Sequence, residues 1–142
     1  MKKILLLSVC LFSFALVKAD GRYIRFEQLP TEAQTFLRQY FPAIPVTSIK
    51  MDNGRMKDYE VLLGDGTKVE FDHQGQWMEV NMRNKYVPNE IVPSGIKSYV
   101  SETYPTHQIL KIERKGNRHW VELSNGLELK FNARGRLVKI ED

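Results

Sequence analysis

The chain has 142 residues, with 21 Lys and Arg against 17 Asp and Glu, and one cysteine, Cys10. Lys2, Lys3 and Lys18 fall in an N-terminal targeting segment, so 21 less three leaves 18 basic residues against 17 acidic ones, a mature charge near +1. So balanced a surface supplies little of the phosphate neutralisation that nucleic-acid binding needs, and loss of Cys10 with the same segment excludes disulfides, thiol catalysis and cysteine-ligated metals.

Lys2 and Lys3 precede an apolar run from Ile4 to Val17, and Val17-Lys18-Ala19 offers small side chains at the cleavage positions. The pattern predicts a secretory signal over residues 1–19, cleaved near Ala19, and a periplasmic or secreted protein. The run is about 14 residues long, short of the roughly 20 needed to cross a bilayer. Leu7-Ser8-Val9-Cys10 is a poor lipid-attachment box, because Val9 is too bulky for the position before the cysteine. The remaining residues, about 123, suffice for one compact domain that buries roughly two thirds of its unfolded surface.

Residues 20–28 read as a lead-in, ordered by Tyr23, Ile24 and Phe26. Pro30 then opens a helix in which Ala33, Phe36, Leu37 and Tyr40 follow helical spacing, and Pro42 ends it by breaking the hydrogen-bond ladder. Beyond Pro42 the period becomes two. Thr47, Ile49 and Met51 alternate with Ser48 and Lys50, Tyr59, Val61 and Leu63 with Glu60 and Leu62, and Val69 and Phe71 with Lys68 and Glu70. Asp65-Gly66 marks a tight hairpin, and the turn at Gly75 leads into a fourth strand with Met78 and Val80 toward the core. Residues 82–91 form a linker.

The pattern then recurs. Pro93 opens a helix with Ile96, Tyr99 and Val100 on one face, Pro105 stops it, and strands follow with turns at Asn125-Gly126 and Gly135 and with Val138 and Ile140 inward. Pro30 matches Pro93, Pro42 Pro105, Ile49 Ile112, Val61 Val121, Leu63 Leu123, Gly66 Gly126, Phe71 Phe131 and Gly75 Gly135. Turns and core positions repeat while charges drift, which is the mark of a duplicated packing unit. The expectation is an α+β domain of two units, residues 29–81 and 92–142. Each has one helix and four antiparallel strands, together giving an eight-stranded sheet with both helices on one face.

Leu29-Pro30, Phe36, Tyr40-Phe41-Pro42, Asp58-Tyr59-Glu60-Val61, Asp65 to Asp72 and Gly75-Gln76-Trp77 carry a resemblance to a known family, and Val92-Pro93, Tyr104-Pro105, Asn125 to Asn132 and Gly135 carry a thinner one. Over almost the whole mature chain the pattern resembles the PepSY-like, beta-lactamase-inhibitor-like periplasmic proteins of bacteria. The resemblance implies the architecture of beta-lactamase inhibitory protein and a non-enzymatic exported protein that binds another protein through its sheet face. It supplies no catalytic residue.

With the helices on one face, the outward positions are expected to be Ser48, Lys50, Glu60, Leu62, Lys68, Glu70, Trp77, Glu79, Lys111, Glu113, Trp120, Glu122, Glu128, Lys130, Leu137 and Lys139. Tryptophans amid mixed charges have the composition of a protein-binding patch, and the candidate partner-binding set is Trp77, Trp120, Leu62, Leu137, Lys50, Glu60, Lys68, Glu79, Glu122 and Lys139. The same indoles could serve as cover for the sheet, and a register slip of one residue would turn them inward.

Other chemistry is thin. His73, His107 and His119 match no zinc spacing, Asp52-Asn53-Gly54 lacks the remaining ligands of a calcium loop, and Ser94 and Ser124 have no recurring histidine. Glu60 with Glu70 could form a carboxylate pair, but Lys50 and Lys68 lie as close and favour ion pairing. The densest basic spot is Lys111, Arg114, Lys115 and Arg118, diluted by Glu113. No cofactor and no metal are expected; the partner is a protein. The reading is an exported binding module, an inhibitor or regulator of an envelope or secreted enzyme. The alternatives are an envelope assembly component holding lipid or polymer between sheet and helices, and a small hydrolase, which a cleft of converging ionisable groups would reveal.

Overall fold

The computed structural model describes residues 21–55 and 58–142, so the expected signal lies outside the described residues. In chain order the elements are β1 (Arg22–Tyr23), a 3-10 turn at Phe26–Gln28, α1 (Thr31–Tyr40), β2 (Val46–Met51), β3 (Tyr59–Leu63), β4 (Lys68–Phe71) and β5 (Trp77–Asn81). A 3-10 turn at Asn89–Ile91 leads to α2 (Ser94–Thr103), β6 (Ile109–Lys115), β7 (Arg118–Leu123), β8 (Glu128–Phe131) and β9 (Leu137–Glu141). This is an α+β fold: one antiparallel sheet with strands in sequential order, interrupted by α1 between β1 and β2 and by α2 between β5 and β6.

Among the described residues the sheet has nine strands, one more than the sequence pattern predicts. The addition is β1, too short to display alternation; it is fixed by Arg22 opposite Met51, Tyr23 opposite Lys50, and the Ile24 N–H donating to the Ile49 carbonyl at 3.0 Å. The connection from β5 to α2 is stitched down. Met82 and Val87 donate their N–H groups to the Leu110 and Ile109 carbonyls, each at 2.8 Å, and Met82, Val87 and Ile91 are buried.

Both helices begin one residue after their proline. The Pro30 carbonyl accepts from Gln34 N–H at 3.1 Å and the Pro93 carbonyl from Lys97 N–H at 3.0 Å, so each proline ring, which cannot donate, stands where no helical donor is missed. Helix α1 buries Ala33 and Leu37, and α2 buries Ile96 and Val100. Phe36 meets Phe71 edge-on at 5.5 Å and Tyr99 meets Phe131 at 5.6 Å, which places both helices on the same side of the sheet.

That side is defined by a row of directly paired residues, Ile49, Val61, Val69, Val80, Ile112, Val121, Leu129 and Ile140, running from β2 to β9. All are buried except Ile140 at the edge. Full burial of such a side chain stabilises the fold by about 1.5–3 kcal/mol.

Four irregularities interrupt the alternation. The pairing shifts between Val46 and Ser48 in β2, and between Ile109 and Lys111 in β6. Val46 therefore packs against the core while Thr47, expected inward, is exposed. The pairing also shifts between Glu70 and Phe71 and between Lys130 and Phe131. Met78 and Val138 are the extra residues of these bulges, so neither takes the core position that unbroken alternation gives it. Trp77 pairs with Phe71 and Leu137 with Phe131, which turns both toward the helices. The outward placement expected of Trp77 and Leu137 is thus corrected; both are half-buried against the core.

Gly75 and Gly126 share φ +86°, which an L side chain adopts only under strain, but their surroundings differ. A Cβ on Gly75 would lie 2.8 Å from Pro30 Cβ and 2.9 Å from the Ala33 nitrogen, whereas one on Gly126 meets nothing within 4 Å. Urea unfolding should show Gly126→Ala losing about 1–2 kcal/mol from backbone strain alone. Gly75→Ala should lose more, on the order of 3 kcal/mol, because α1 must also move off the sheet.

Candidate functional site

The face opposite the helices carries two rows of paired side chains. The first is Lys50, Glu60, Glu70, Glu79, Glu113, Trp120, Lys130 and Lys139, and the second is Ser48, Leu62, Lys68, Asn81, Lys111, Glu122, Glu128 and Glu141. Of the expected partner-binding residues, Lys50, Glu60, Leu62, Lys68, Glu79, Trp120, Glu122 and Lys139 lie together on this face. Trp77 and Leu137 lie on the other.

Glu60, Glu70, Glu79 and Glu113 stand directly opposite one another on neighbouring strands, an arrangement that repels unless cations intervene. Lysines intervene, Lys68 and Lys111 from the second row and Lys115 from the end of β6. Lys68 Nζ reaches Glu70 at 2.8 Å and Glu79 at 3.3 Å, Lys111 reaches Glu79 at 3.9 Å, and Lys115 reaches Glu113 at 3.3 Å. Glu79 is only 8% exposed, although it sits on the face opposite α1 and α2. Burial alone would lower the Lys68 pKa, but the Glu70 and Glu79 carboxylates outweigh it and hold the ammonium above its ordinary value.

Trp120, half-buried, stands between Glu113 and Lys130. Lys115 Nζ lies 3.8 Å and Lys130 Nζ 5.6 Å from its ring centroid, so the indole is held by cations worth about 0.5–1 kcal/mol each at such exposed sites. Toward β2 the face turns acidic. Lys50, Asp52, Asp58, Tyr59, Glu60, Glu70 and Met78 line an open hollow of about 250 Å³. Burial, then the charges of Asp52 and Asp72, push the Asp58 pKa up.

On the helix side, Trp77 forms a cluster that the sequence pattern did not indicate. The Arg114 guanidinium stacks 4.9 Å from the Trp77 ring centroid, and the His119 ring lies 6.2 Å away. Arg114 pairs with His119 across β6 and β7, and Trp77 also lines a groove of about 220 Å³ with Phe36, Tyr40 and Ile91. The basic spot is therefore divided: Lys111 and Lys115 face the open side, Arg114 the helices.

His107 and Ser124, unrelated in the sequence pattern, meet at 3.2 Å between Nδ1 and Oγ. Ser124 Oγ also accepts the Gln108 N–H at 3.0 Å, while the Ser124 N–H donates to the Gln108 carbonyl at 2.8 Å. This serine braces the start of β6 against the β7–β8 turn. Asp52 Oδ1 accepts the Gly54 N–H at 3.0 Å, and His73 is exposed in a turn. Among the described residues, no group of three or more His, Cys, Asp or Glu side chains is arranged to hold a metal.

One helix-covered face and one open face laddered with charge define a two-layer α+β domain of a kind already solved from Bacteroides. A structure described as a "putative periplasmic protein from DUF2874 family" of Bacteroides vulgatus is 40% identical, covers 88% of this chain and 99% of its own, and superposes with a TM-score of 0.85. A "putative calcium-regulated periplasmic protein" of Bacteroides thetaiotaomicron is also 40% identical, with coverages of 86% and 97% and a TM-score of 0.83. A "putative periplasmic protein of unknown function" of Bacteroides vulgatus is 33% identical, covering 86% and 99%, with a TM-score of 0.81. Among curated proteins none matches. Residues 57–139 match the family described as "Putative beta-lactamase-inhibitor-like, PepSY-like", and the chain belongs to that family.

His119 gives the helix-side cluster a pH signature. Burial, then the Arg114 charge, lower its pKa below the ordinary 6.5, so the unfolded chain takes up this proton first as pH falls. The associated stability is present above pH 6.5 and is lost as pH drops toward the folded-state value. Urea midpoints from pH 7.5 down to about 5 should fall in the wild type and fall less in His119→Asn.

Proposed function

We propose that this chain is an exported, non-enzymatic binding protein that docks a protein partner on its open sheet face and restrains that partner, an enzyme of the envelope or one secreted beside it. The observation that carries this reading is Trp120, standing among charges already fixed in place on a face that no described helix covers, with Leu62 four strands away on the same face. An anchored indole loses little freedom on binding, and ion pairs formed before docking present a set charge pattern. Lys50, Glu60, Lys68, Glu79, Glu122 and Lys139 make up the polar part of the patch. Trp77 and Leu137, turned toward the helices, fall outside it.

The lysine-led segment Ile4 to Val17 supports export, in keeping with relatives described as periplasmic. The non-enzymatic reading is in keeping with the inhibitor-like family. We read the two halves as copies of one unit. Each has a ten-residue helix followed by four strands, and bulges at Val46/Ser48 and Glu70/Phe71 answer those at Ile109/Lys111 and Lys130/Phe131. Directly beneath the helices the space is filled by Leu37, Phe71, Ile96 and Phe131, and the groove beside Trp77 holds only about 220 Å³, which disfavours a lipid or polymer site between sheet and helices.

The test is affinity capture from envelope extract on the immobilised mature chain, followed by titration of the captured partner. Trp120→Ala should weaken binding by about 2 kcal/mol or more, roughly 30-fold in Kd, while Trp77→Ala on the helix side leaves Kd within a few-fold. Equal binding by folded wild type and Trp120→Ala, or loss with Trp77→Ala instead, contradicts the assignment. The captured partner's own activity, assayed with and without the chain, decides whether binding restrains it.

A further inference from the structure

The two edges of the sheet are unlike. At one, β1 contributes only Arg22 and Tyr23. At the other, β9 runs from Leu137 to Glu141, pairs with β8 alone among the described residues, and exposes two apolar side chains, Val138 at 60% and Ile140 at 46%. A strand with one unpaired side and exposed apolar groups is a template for another strand.

The neighbouring hydrogen bonds fix which β9 groups point outward. Leu123 N–H donates to the Leu127 carbonyl at 2.9 Å, and counting back along the ladder makes Val121 and Leu129 a hydrogen-bonded pair. Leu129 spends its N–H and carbonyl on β7, so its pairing with Ile140 is a non-hydrogen-bonded one. The N–H and carbonyl of Ile140 therefore face the open edge. In β5, Val80 stands opposite Val69 just as Ile140 stands opposite Leu129. Val80 has Ile112 of β6 as its outer neighbour and is fully buried, whereas Ile140 has no such neighbour among the described residues.

We propose that β9 pairs antiparallel with β9 of a second copy of this chain, centred on Ile140, so that two sheets join into one across a two-fold axis. An isologous antiparallel pair can centre on Ile140 or on Lys139, and charge decides between them. Centring on Lys139 sets two ammonium groups directly opposite, which repels. Centring on Ile140 sets Ile140 against Ile140, with each carbonyl accepting the other's N–H, and sets Lys139 opposite Glu141 of the second copy at both ends. Within one chain Lys139 and Glu141 already pair, and Lys130 reaches Glu141 at 3.0 Å, so the dimer places a compact set of alternating charges on the open face at its centre. A strand of five residues makes a short interface, well under the roughly 1,000 Å² of a permanent complex, so the association is weak and concentration-dependent. This proposal is independent of what the open face binds.

Two measurements on the exported chain test it. Cysteine scanning exploits the absence of any cysteine beyond Cys10. Ile140→Cys should form a disulfide dimer in a glutathione buffer, its Cα atoms being about 5.5 Å apart as a hydrogen-bonded pair, and should do so faster than Lys139→Cys or the exposed turn variant Ala133→Cys. Sedimentation equilibrium should show wild-type association rising with concentration. Lys139→Glu should raise the dissociation constant roughly tenfold, because both symmetric ion pairs become repulsive, and Lys139→Glu with Glu141→Lys should restore it. A wild type that stays monomeric to millimolar concentration, or Lys139→Cys crosslinking ahead of Ile140→Cys, overturns the proposal.

Discussion

The structure depends on one apolar row that crosses the sheet at right angles to its strands. Ile49, Val61, Val69, Val80, Ile112, Val121 and Leu129 stand side by side on consecutive strands, nearly all without solvent exposure. Each contributes about 1.5–3 kcal/mol by burial, against about 0–1 kcal/mol for a typical exposed ion pair. The row, with Phe71 and Phe131 above it, therefore decides which face receives α1 and α2. The charged rows opposite follow from side-chain alternation and decorate a face whose position was already settled.

This ordering explains how the open face tolerates a line of glutamates. Like charges across adjacent strands cost stability, but the apolar row fixes the strand register and leaves the polar side chains to adapt. Lys68 and Lys111 adapt by bridging diagonally to Glu79, and the buried carboxylate becomes the centre of a pre-formed charge pattern. In the reading proposed above, this pre-formed charge pattern is what a docking partner meets.

Strict alternation was legible wherever a strand was regular. Val61, Leu63, Val69 and Phe71 fall on the helix side as their spacing predicts, as do the apolar stripes of both helices. The bulges were not legible, because an extra residue changes no residue type and is fixed by the partner strand. Thr47 and Met78 were misplaced for that reason, and the same cause moved Trp77 to the helix side while Trp120, in a strand that carries no extra residue of its own, stayed on the open face. Strand β1 escaped notice because two residues carry no period, and its support comes from β2, distant in sequence. Glu79 reads as an ordinary outward glutamate; only the lysines of the neighbouring strands make it a buried one.

The two indoles lie on opposite faces of the sheet, and nuclear Overhauser contacts from their ring protons test that placement most directly. The Trp77 indole should show cross-peaks to Arg114 and His119 and to the α1 side of its groove, and the Trp120 indole to Lys115 and Lys130. Cross-peaks from Trp77 to the Lys68 and Lys111 side chains, with none to Arg114 or His119, would put both indoles on one face and contradict the register on which the account is built.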